Sequence, residues 1–452
     1  MITLEHFNKA RAWLARGNVN SCDGNHGYGT LLTLLTLLTH GQVNAGSSSV
    51  KVSVYTLSSS EPNQIAEAQL DGLTAPPAKL SYTRGATTVA KGKEVQHDVK
   101  DQGAAFSILL DELVNDSKLT QLAKKEDITH ICHRVVHGGD YSKQQAITKE
   151  TLETLEELSG LAPLHNAPAL SIVRSCLDKL PGTRNIACFD TQFHRDLPEH
   201  VRTYPINQEV ARKNGLRKYG FHGLSYSFIT RAVAGFLGKK TEDTNLIALH
   251  LGSGASACAI RGGKSWDTSM GLTPLAGLPG ATRSGSVDPS LVFHYASDVG
   301  KLSPGSTKEL HVSIAEDILN KQSGWKALTG TTDFGAISAG YDKDPAMKLA
   351  FDMFVDRICG FIGAYYVSLH GEVDALVFAG GIGEKSAELR KSVVERCACL
   401  GFGIGEEANS KGGGDAAVRD ISGKGKHKVL ICKTDEQLEM AKEVVETESL
   451  SG

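Results

Sequence analysis

Two runs of small and hydroxyl-bearing residues stand roughly two hundred positions apart, Asn44-Ala-Gly-Ser-Ser-Ser49 and His250-Leu-Gly-Ser-Gly-Ala255. Small residues let main-chain N–H groups approach an anion closely, and hydroxyls add further donors. Phosphate is the anion that such loops fit. Two arginines, Arg134 and Arg283, offer planar forks suited to carboxylate and phosphate oxygens.

The residues just after each loop decide how it is held. Val50, Val52 and Val54 alternate with Lys51, Ser53 and Tyr55, a period of two, so the first loop runs into a strand and not a helix. After the second loop, Ser256–Ile260 leads through Arg261-Gly-Gly-Lys264 into Ser265-Trp266, again a hairpin. Two hairpin-borne loops imply two similar halves clasping one polyphosphate. The rest of the chain alternates apolar strands with helical stretches, as in α/β proteins. Strands are expected at 128–136, 185–189, 246–251 and 375–378, and helices at 148–158, 347–369 and 436–445. Gly380, Gly381 and Gly383 read as a turn, with a helix from Ser386.

The chain has 452 residues, enough for two or three domains. Its 48 basic and 51 acidic residues give no bulk attraction to nucleic acid or to an anionic membrane. Nine cysteines, scattered without a framework, read as free thiols of a reducing cytosol. Residues 1–41 fit least well. Leu31–Thr39 reads LLTLLTLLT, too short to span a bilayer, and the stretch lacks the ordered parts of a secretory signal. Gly41, His40 and Gln42 also make a poor central strand before the first loop. The expectation is a poorly ordered or atypical leader, whether native, targeting or a gene-model artefact, of which residues 1–35 are dispensable.

Nine segments in order carry a resemblance. They are Asn44–Lys51, His133–Gly139, Ala162–Pro168, Phe189–His194, Tyr219–Gly223, Met270–Pro274, Thr282–Gly285, Gly381–Glu384 and Thr434–Glu436. The chain resembles the acetate kinase family, within the superfamily of actin, sugar kinases and chaperone ATPases. The resemblance implies an α/β fold of two actin-like (ribonuclease H-like) domains with the active site in the cleft between them. Domain I would run over 42–190, completed by a C-terminal helix at 437–452, and domain II over 191–436. It implies a cytoplasmic homodimer that makes acetyl phosphate and ADP from acetate and ATP, or the reverse, with Mg²⁺ or Mn²⁺ and with no nucleic-acid or membrane partner.

The same resemblance assigns residues. Arg134 would hold the acyl carboxylate, with Arg283 and His222 on the transferring phosphoryl group. Asp190 matches a position often cast as a proton donor or acceptor. Acetate is already ionised near neutral pH, so Asp190 is expected instead to help hold Mg²⁺ or to order the acyl pocket. Val136, Leu164 and Pro274 match positions around the acyl methyl, and a pocket of that kind discriminates weakly against propionate. Lys51 matches the residue reaching the donor phosphates. His250, Leu251, Gly252, Ser253 and Gly254, then Asp333, Phe334 and Gly335, then Gly381, Ile382, Gly383, Glu384 and Lys385, match the nucleotide site. Asn44 and Glu436 match the metal-associated positions.

Four positions depart from the family pattern, and the last two of them flank the expected adenosine site. Ser253 stands where asparagine is usual, Ser286 where aspartate is usual, Gly335 where arginine is frequent, and Lys385 where asparagine is frequent. ATP with loose purine selectivity is the expected donor. A pyrophosphate-dependent or propionate- or butyrate-preferring relative is the alternative, and a non-catalytic nucleotide-binding switch is the alternative of a different class. Gly252–Ala257 fits a dinucleotide fingerprint in letters only, because a hairpin comes after it instead of a helix.

Overall fold

The computed structural model describes residues 32–451 apart from 44–46, 59–60, 74–76, 96–98, 100, 160–162, 296–300, 304–305, 307–311, 413 and 415. The first half of the chain builds β1 (Leu32–Val43), β2 (Ser47–Ser58), β3 (Glu61–Asp71), β4 (Lys79–Arg84), β5 (Thr87–Glu94), β6 (Ile128–Val135), β7 (Gln145–Ala146) and β8 (Arg184–Phe189). These form one sheet in the order β5-β4-β3-β2-β1-β6-β8-β7. The second half builds β9 (Leu246–Leu251), β10 (Ala255–Arg261), β11 (Lys264–Thr268), β12 (Ala375–Ala379), β13 (Val418–Asp420) and β14 (Lys428–Cys432), ordered β11-β10-β9-β12-β14-β13.

The two sheets share one plan. In the first, β1, β2 and β3 form an antiparallel meander, and β6 and β8 add in parallel beyond β1. In the second, β9, β10 and β11 form the meander, and β12 and β14 add in parallel beyond β9. This repeated three-plus-two order is the two-domain actin-like fold.

Helices cover both faces of each sheet. On the first, α1 (Gln102–Val114) lies against the valine face of β2, where Phe106, Leu109 and Leu110 meet Val50, Val52 and Val54 in one core. α2 (Lys149–Leu158) and α3 (Pro163–Lys179) complete that side. α4 (Gly223–Leu237) packs Ile229 and Val233 on one face of the second sheet, against Leu246, Ala248 and Val377. The other face takes α5 (Phe334–Gly340) and α6 (Pro345–Ser368), whose Phe351, Phe354 and Ile358 cover Leu249 and Phe378. α6 begins at Pro345 with the Asp344 carboxylate accepting from the Ala346 N–H, the arrangement that proline tolerates in a first turn. α7 (Gly380–Lys385) and α8 (Ala387–Arg396) come after β12, and α9 (Glu436–Ser451) closes the chain.

α9 returns to the first sheet. Met440, Ala441 and Val444 bury against Tyr55, Cys132, Ile186 and Cys188. Its Glu439 accepts from Ser227 Oγ at 2.6 Å and pairs with Arg231, both on α4. The two inner helices therefore lock together where the halves meet.

Three expectations change. The leader expected through residue 41 stops earlier, because β1 starts at Leu32 and pairs with β2 and with β6. Gly41 and Gln42 are accommodated by a register shift between His40 and Val43, a bulge that lets a strand carry a glycine there. The expected turn at Gly380–Gly383 is instead the short helix α7.

Removal of residues 1–35 would thus cut into β1. Deleting residues 32–43 is expected to abolish soluble expression, because it opens a gap between β2 and β6 in the middle of the sheet. Wild-type solubility and melting temperature in that deletion would contradict the strand assignment.

Candidate active site

The two sheets meet at a cavity of about 380 Å³. The first half supplies Lys51 and Glu67 from its hairpin and Arg134 from the end of β6. The second supplies His222, His250, the Gly252–Gly254 loop and Arg283. Thr434, Asp435, Glu436 and Gln437 enter at the start of α9. The β2 alternation explains why Lys51 arrives there: Val50, Val52 and Val54 face α1, so Lys51, Ser53 and Tyr55 face the junction. Lys51 Nζ lies 2.8 Å from Glu67 Oε2.

Arg134 is the most heavily bonded of these groups. Its Nε and Nη2 donate to the two oxygens of Asp190 at 2.9 and 2.8 Å, and its Nη1 lies 3.4 Å from Glu436 Oε2. Burial, with the Glu436 carboxylate adding to it, raises the Asp190 carboxyl above its ordinary range, against the pull of Arg134. Asp190 is fully buried behind Arg134 and does not line the cavity. The bidentate pair assigns it to orienting a guanidinium.

Arg283 has a different environment. Its Nη1 donates to the Pro274 carbonyl at 3.0 Å, and the contacts among the described residues give it no carboxylate. Burial and the neighbouring Arg134 lower it to about 10, so it stays charged at neutral pH. A Cβ on Gly254 would sit 2.3 Å from Arg283 Nη2; glycine in the loop is what lets the guanidinium lie against it.

His222 occupies the N-cap of α4 in the left-handed region, with φ 57°, an uncommon setting for a side chain-bearing residue. Its ring stacks on His250 with centroids 4.2 Å apart, and its Nδ1 meets Ser256 Oγ at 2.8 Å. Burial, then His250, Arg134 and Arg283, hold it well below the usual histidine value, so the ring is neutral. His250 Nδ1 is tied in the same way to Ser225 Oγ at 2.8 Å. The cavity wall thus presents two guanidiniums, the Lys51 ammonium and the neutral His222 imidazole, beside the carboxylates of Glu67, Asp435 and Glu436.

A second cavity of about 680 Å³ shares Gly252, Ser253 and Gly381 with the first. Phe334 and Ile382 give it apolar walls, and Asp333, Gly335, Lys385 and Glu388 add polar ones. Nothing lies within 4 Å of a Cβ built on Gly381, so that glycine leaves open space between the cavities. Gly380 is constrained differently: its φ is +75° and a Cβ would meet the Leu251 carbonyl at 2.7 Å. The α7 backbone is held from behind by Arg390, which donates to the carbonyls of Gly383 and Glu384 at 2.8 and 2.9 Å.

Several sequence assignments fall elsewhere. Leu251 is a core residue of the second half, and Gly383 is a buried residue of α7 itself; neither lines the cavities described. Val136 packs with Tyr219, Phe221, Met270 and Leu272, and Pro274 contributes its carbonyl to Arg283; neither borders the cavities described. Asn44 lies outside the described residues, as does the side chain of Leu164. Of the metal-associated pair, Glu436 borders the first cavity beside Asp435. Among the described residues no three His, Cys, Asp or Glu side chains are grouped to hold a metal. Two adjacent carboxylates suit a hard cation that takes most of its oxygens from phosphates and water.

Compared with known proteins, residues 42–442 match the model of the acetokinase family. This chain belongs to the acetokinase family. It is 59% identical over 450 residues to a probable acetate kinase of Chaetomium globosum, covering 91% of this chain and 98% of that protein. It is 56% identical over 412 residues to a probable acetate kinase of Emericella nidulans, covering 90% and 97%. Among solved structures, the acetate kinase of Porphyromonas gingivalis is 31% identical with a TM-score of 0.74, covering 93% of this chain and 100% of that one. A propionate kinase of Francisella tularensis is 33% identical with a TM-score of 0.75, covering 91% and 98%. The acetokinase motifs converge on the first cavity, while Glu67, Ser256 and Tyr226 lie outside any motif and are found only through the fold.

Replacing Asp190 by alanine is expected to leave the buried Arg134 without its bidentate partner, a loss of about 3–5 kcal/mol. Chemical denaturation would read it directly. A stability within about 0.5 kcal/mol of wild type, the scale of an inert surface change, would contradict the orienting role.

Proposed function

We propose that this protein is an acetate kinase that transfers the γ-phosphoryl group of ATP to acetate, reversibly, giving acetyl phosphate and ADP. One observation carries the reading. Two buried guanidiniums, one without a carboxylate partner among the described residues, and a neutral imidazole face a cavity that opens through Gly252, Ser253 and Gly381 into a nucleotide-sized pocket.

The reaction joins two anions, so its barrier is mostly one of positioning and charge. Acetate enters ionised. One acetate oxygen forms a bond to the γ-phosphorus as the bond to the β-bridging oxygen breaks, and no proton has to be removed. Arg134, fixed by Asp190, holds the acetate carboxylate in line for that attack. Arg283 and His222 donate to the equatorial oxygens, whose charge must be matched as the group passes between partners. The His250–Gly254 loop and Lys51 meet the donor phosphates. Mg²⁺, taken by Asp435 and Glu436 together with phosphate oxygens, would supply further neutralisation of the polyphosphate. Phe334, Ile382 and Gly381 leave room for a base and ribose, which pyrophosphate would not need.

The protein works in this proposal as a homodimer in a reducing cytosol. Val287, Leu291, Phe293, Tyr295 and Leu302, close in the chain, are exposed, Phe293 and Tyr295 at 71% and 63%, apolar side chains that a second copy would cover. The described cysteines are free thiols, consistent with a reducing compartment. Propionate is expected as a weaker substrate, since one methylene changes binding by about 1–3 kcal/mol.

ATP, acetate and hydroxylamine should yield acetyl hydroxamate with the purified protein. Turnover with pyrophosphate and none with ATP would overturn the donor assignment. Arg283→Ala and His222→Ala are expected to lower kcat by about 10²–10³, or about 2.7–4 kcal/mol, whereas Arg134→Ala should also raise the acetate KM. Near-normal turnover in all three variants would remove the catalytic assignment.

Leucine at Gly381 should fill the passage between the cavities. Loss of ATP-dependent turnover with an unchanged melting temperature is the expected result, and undiminished ATP use would show that the donor lies elsewhere.

A further inference from the structure

We propose that Ser256, held in turn by Tyr226, is the positioning residue that sets His222 as the neutral tautomer with its proton on Nε2, facing the phosphoryl group. The inference rests on the role given to His222 above and goes on to say what fixes that role.

The number of protons these groups carry limits how they can be paired. Tyr226 and Ser256 are fully buried. The phenol oxygen of Tyr226 lies 2.5 Å from Ser256 Oγ, and Ser256 Oγ lies 2.8 Å from His222 Nδ1. A phenol has one proton, and Ser256 Oγ is the acceptor that the described contacts give it. Tyr226 therefore donates to Ser256. The serine hydroxyl, having accepted there, has its own single proton left for His222 Nδ1. With the ring neutral, an accepting Nδ1 leaves the remaining proton on Nε2.

The reverse polarity does not close. If His222 Nδ1 donated to Ser256, the serine proton would turn to Tyr226, and the phenol proton would be left in the core of the second half without an acceptor. Unpaired buried donors are costly and rare. The main-chain N–H of His250, which can only donate, also bonds the Tyr226 oxygen and favours the same direction.

The fold brings these groups together from three elements. Ser256 is on β10 directly opposite His250 of β9, Tyr226 is in the first turn of α4, and His222 is the N-cap of the same helix. The chain of donors thus runs from the interior of the second half outward to the cavity. On the cavity side, the described contacts give His222 Nε2 no protein partner, which leaves it for a ligand oxygen.

Selective ¹⁵N-histidine spectra of the full-length protein test the tautomer without reference to activity, with His222→Gln identifying the signals. The expected spectrum has a pyridine-type Nδ1 and a pyrrole-type Nε2 for His222 in the wild type, and a mixture of tautomers in Ser256→Ala. Ser256→Ala should lower kcat about tenfold or more, with KM for ATP and acetate changed less than about twofold, as when a group orienting a catalytic donor is lost. Ser256→Thr, which keeps the hydroxyl, should restore most of the rate. Tyr226→Phe should lose less than Ser256→Ala, because Ser256 retains a proton for Nδ1. A pyrrole-type Nδ1 in the wild type, or Ser256→Ala with wild-type kcat, would overturn the proposal. Undiminished turnover in His222→Gln with the expected wild-type spectrum would instead overturn the role of His222 in the reaction and leave its tautomer assignment standing.

Discussion

The structure depends on keeping Arg134 and Arg283 charged and buried at one junction. A lone guanidinium inside a protein is unfavourable, and two side by side are worse. Each half of the molecule answers for one of them. Asp190, at the end of the last parallel strand of the first sheet, neutralises Arg134 and fixes its plane. Arg283 is given only a carbonyl among the described contacts, so a part of its charge is held for something that is not protein. That asymmetry separates a guanidinium neutralised within the protein from one that is not.

The duplicated sheet plan explains why these groups meet at all. In each half an antiparallel meander lies beside parallel strands, and those strands deliver polar residues at their carboxyl ends. Two such edges facing each other produce a cleft with a polar lining from both sides. The inner helices α4 and α9 then determine how closely the edges approach, since Glu439 ties one to the other. His222 and Glu436 are the first residues of those two helices or immediately precede them, so the helix packing that joins the halves also sets the spacing of the site.

Much of this was legible in sequence because it is local. The valine alternation of β2 assigned Lys51 to the polar face, and the hairpin letters after Gly254 ruled out a dinucleotide fold. Helix α6 and strand β9 were visible as an apolar stripe and an apolar run. What was not legible depends on distance in the chain. Glu67 reaches Lys51 because β3 lies beside β2 with Ser53 opposite Glu67. Tyr226 reaches Ser256 because a helix crosses a sheet, although the two stand far apart in the chain. β1 was misjudged because Gly41 and Gln42 weaken its pattern, and pairing on both sides supplies what its own residues do not.

A close main-chain contact also joins the two halves beside the site. The N–H of Gly223 donates to the carbonyl of Asp190 at 2.9 Å, and any Cβ on Gly223 would lie 2.1 Å from that oxygen. The end of the first sheet and the start of α4 are thus joined backbone to backbone, next to His222. Separating the two stretches of chain here would break the bond that seats both Asp190 and His222. The spacing between the carboxylate that holds Arg134 and the start of the helix that carries the imidazole is thus set by main chain, and no change of side-chain rotamer alters it.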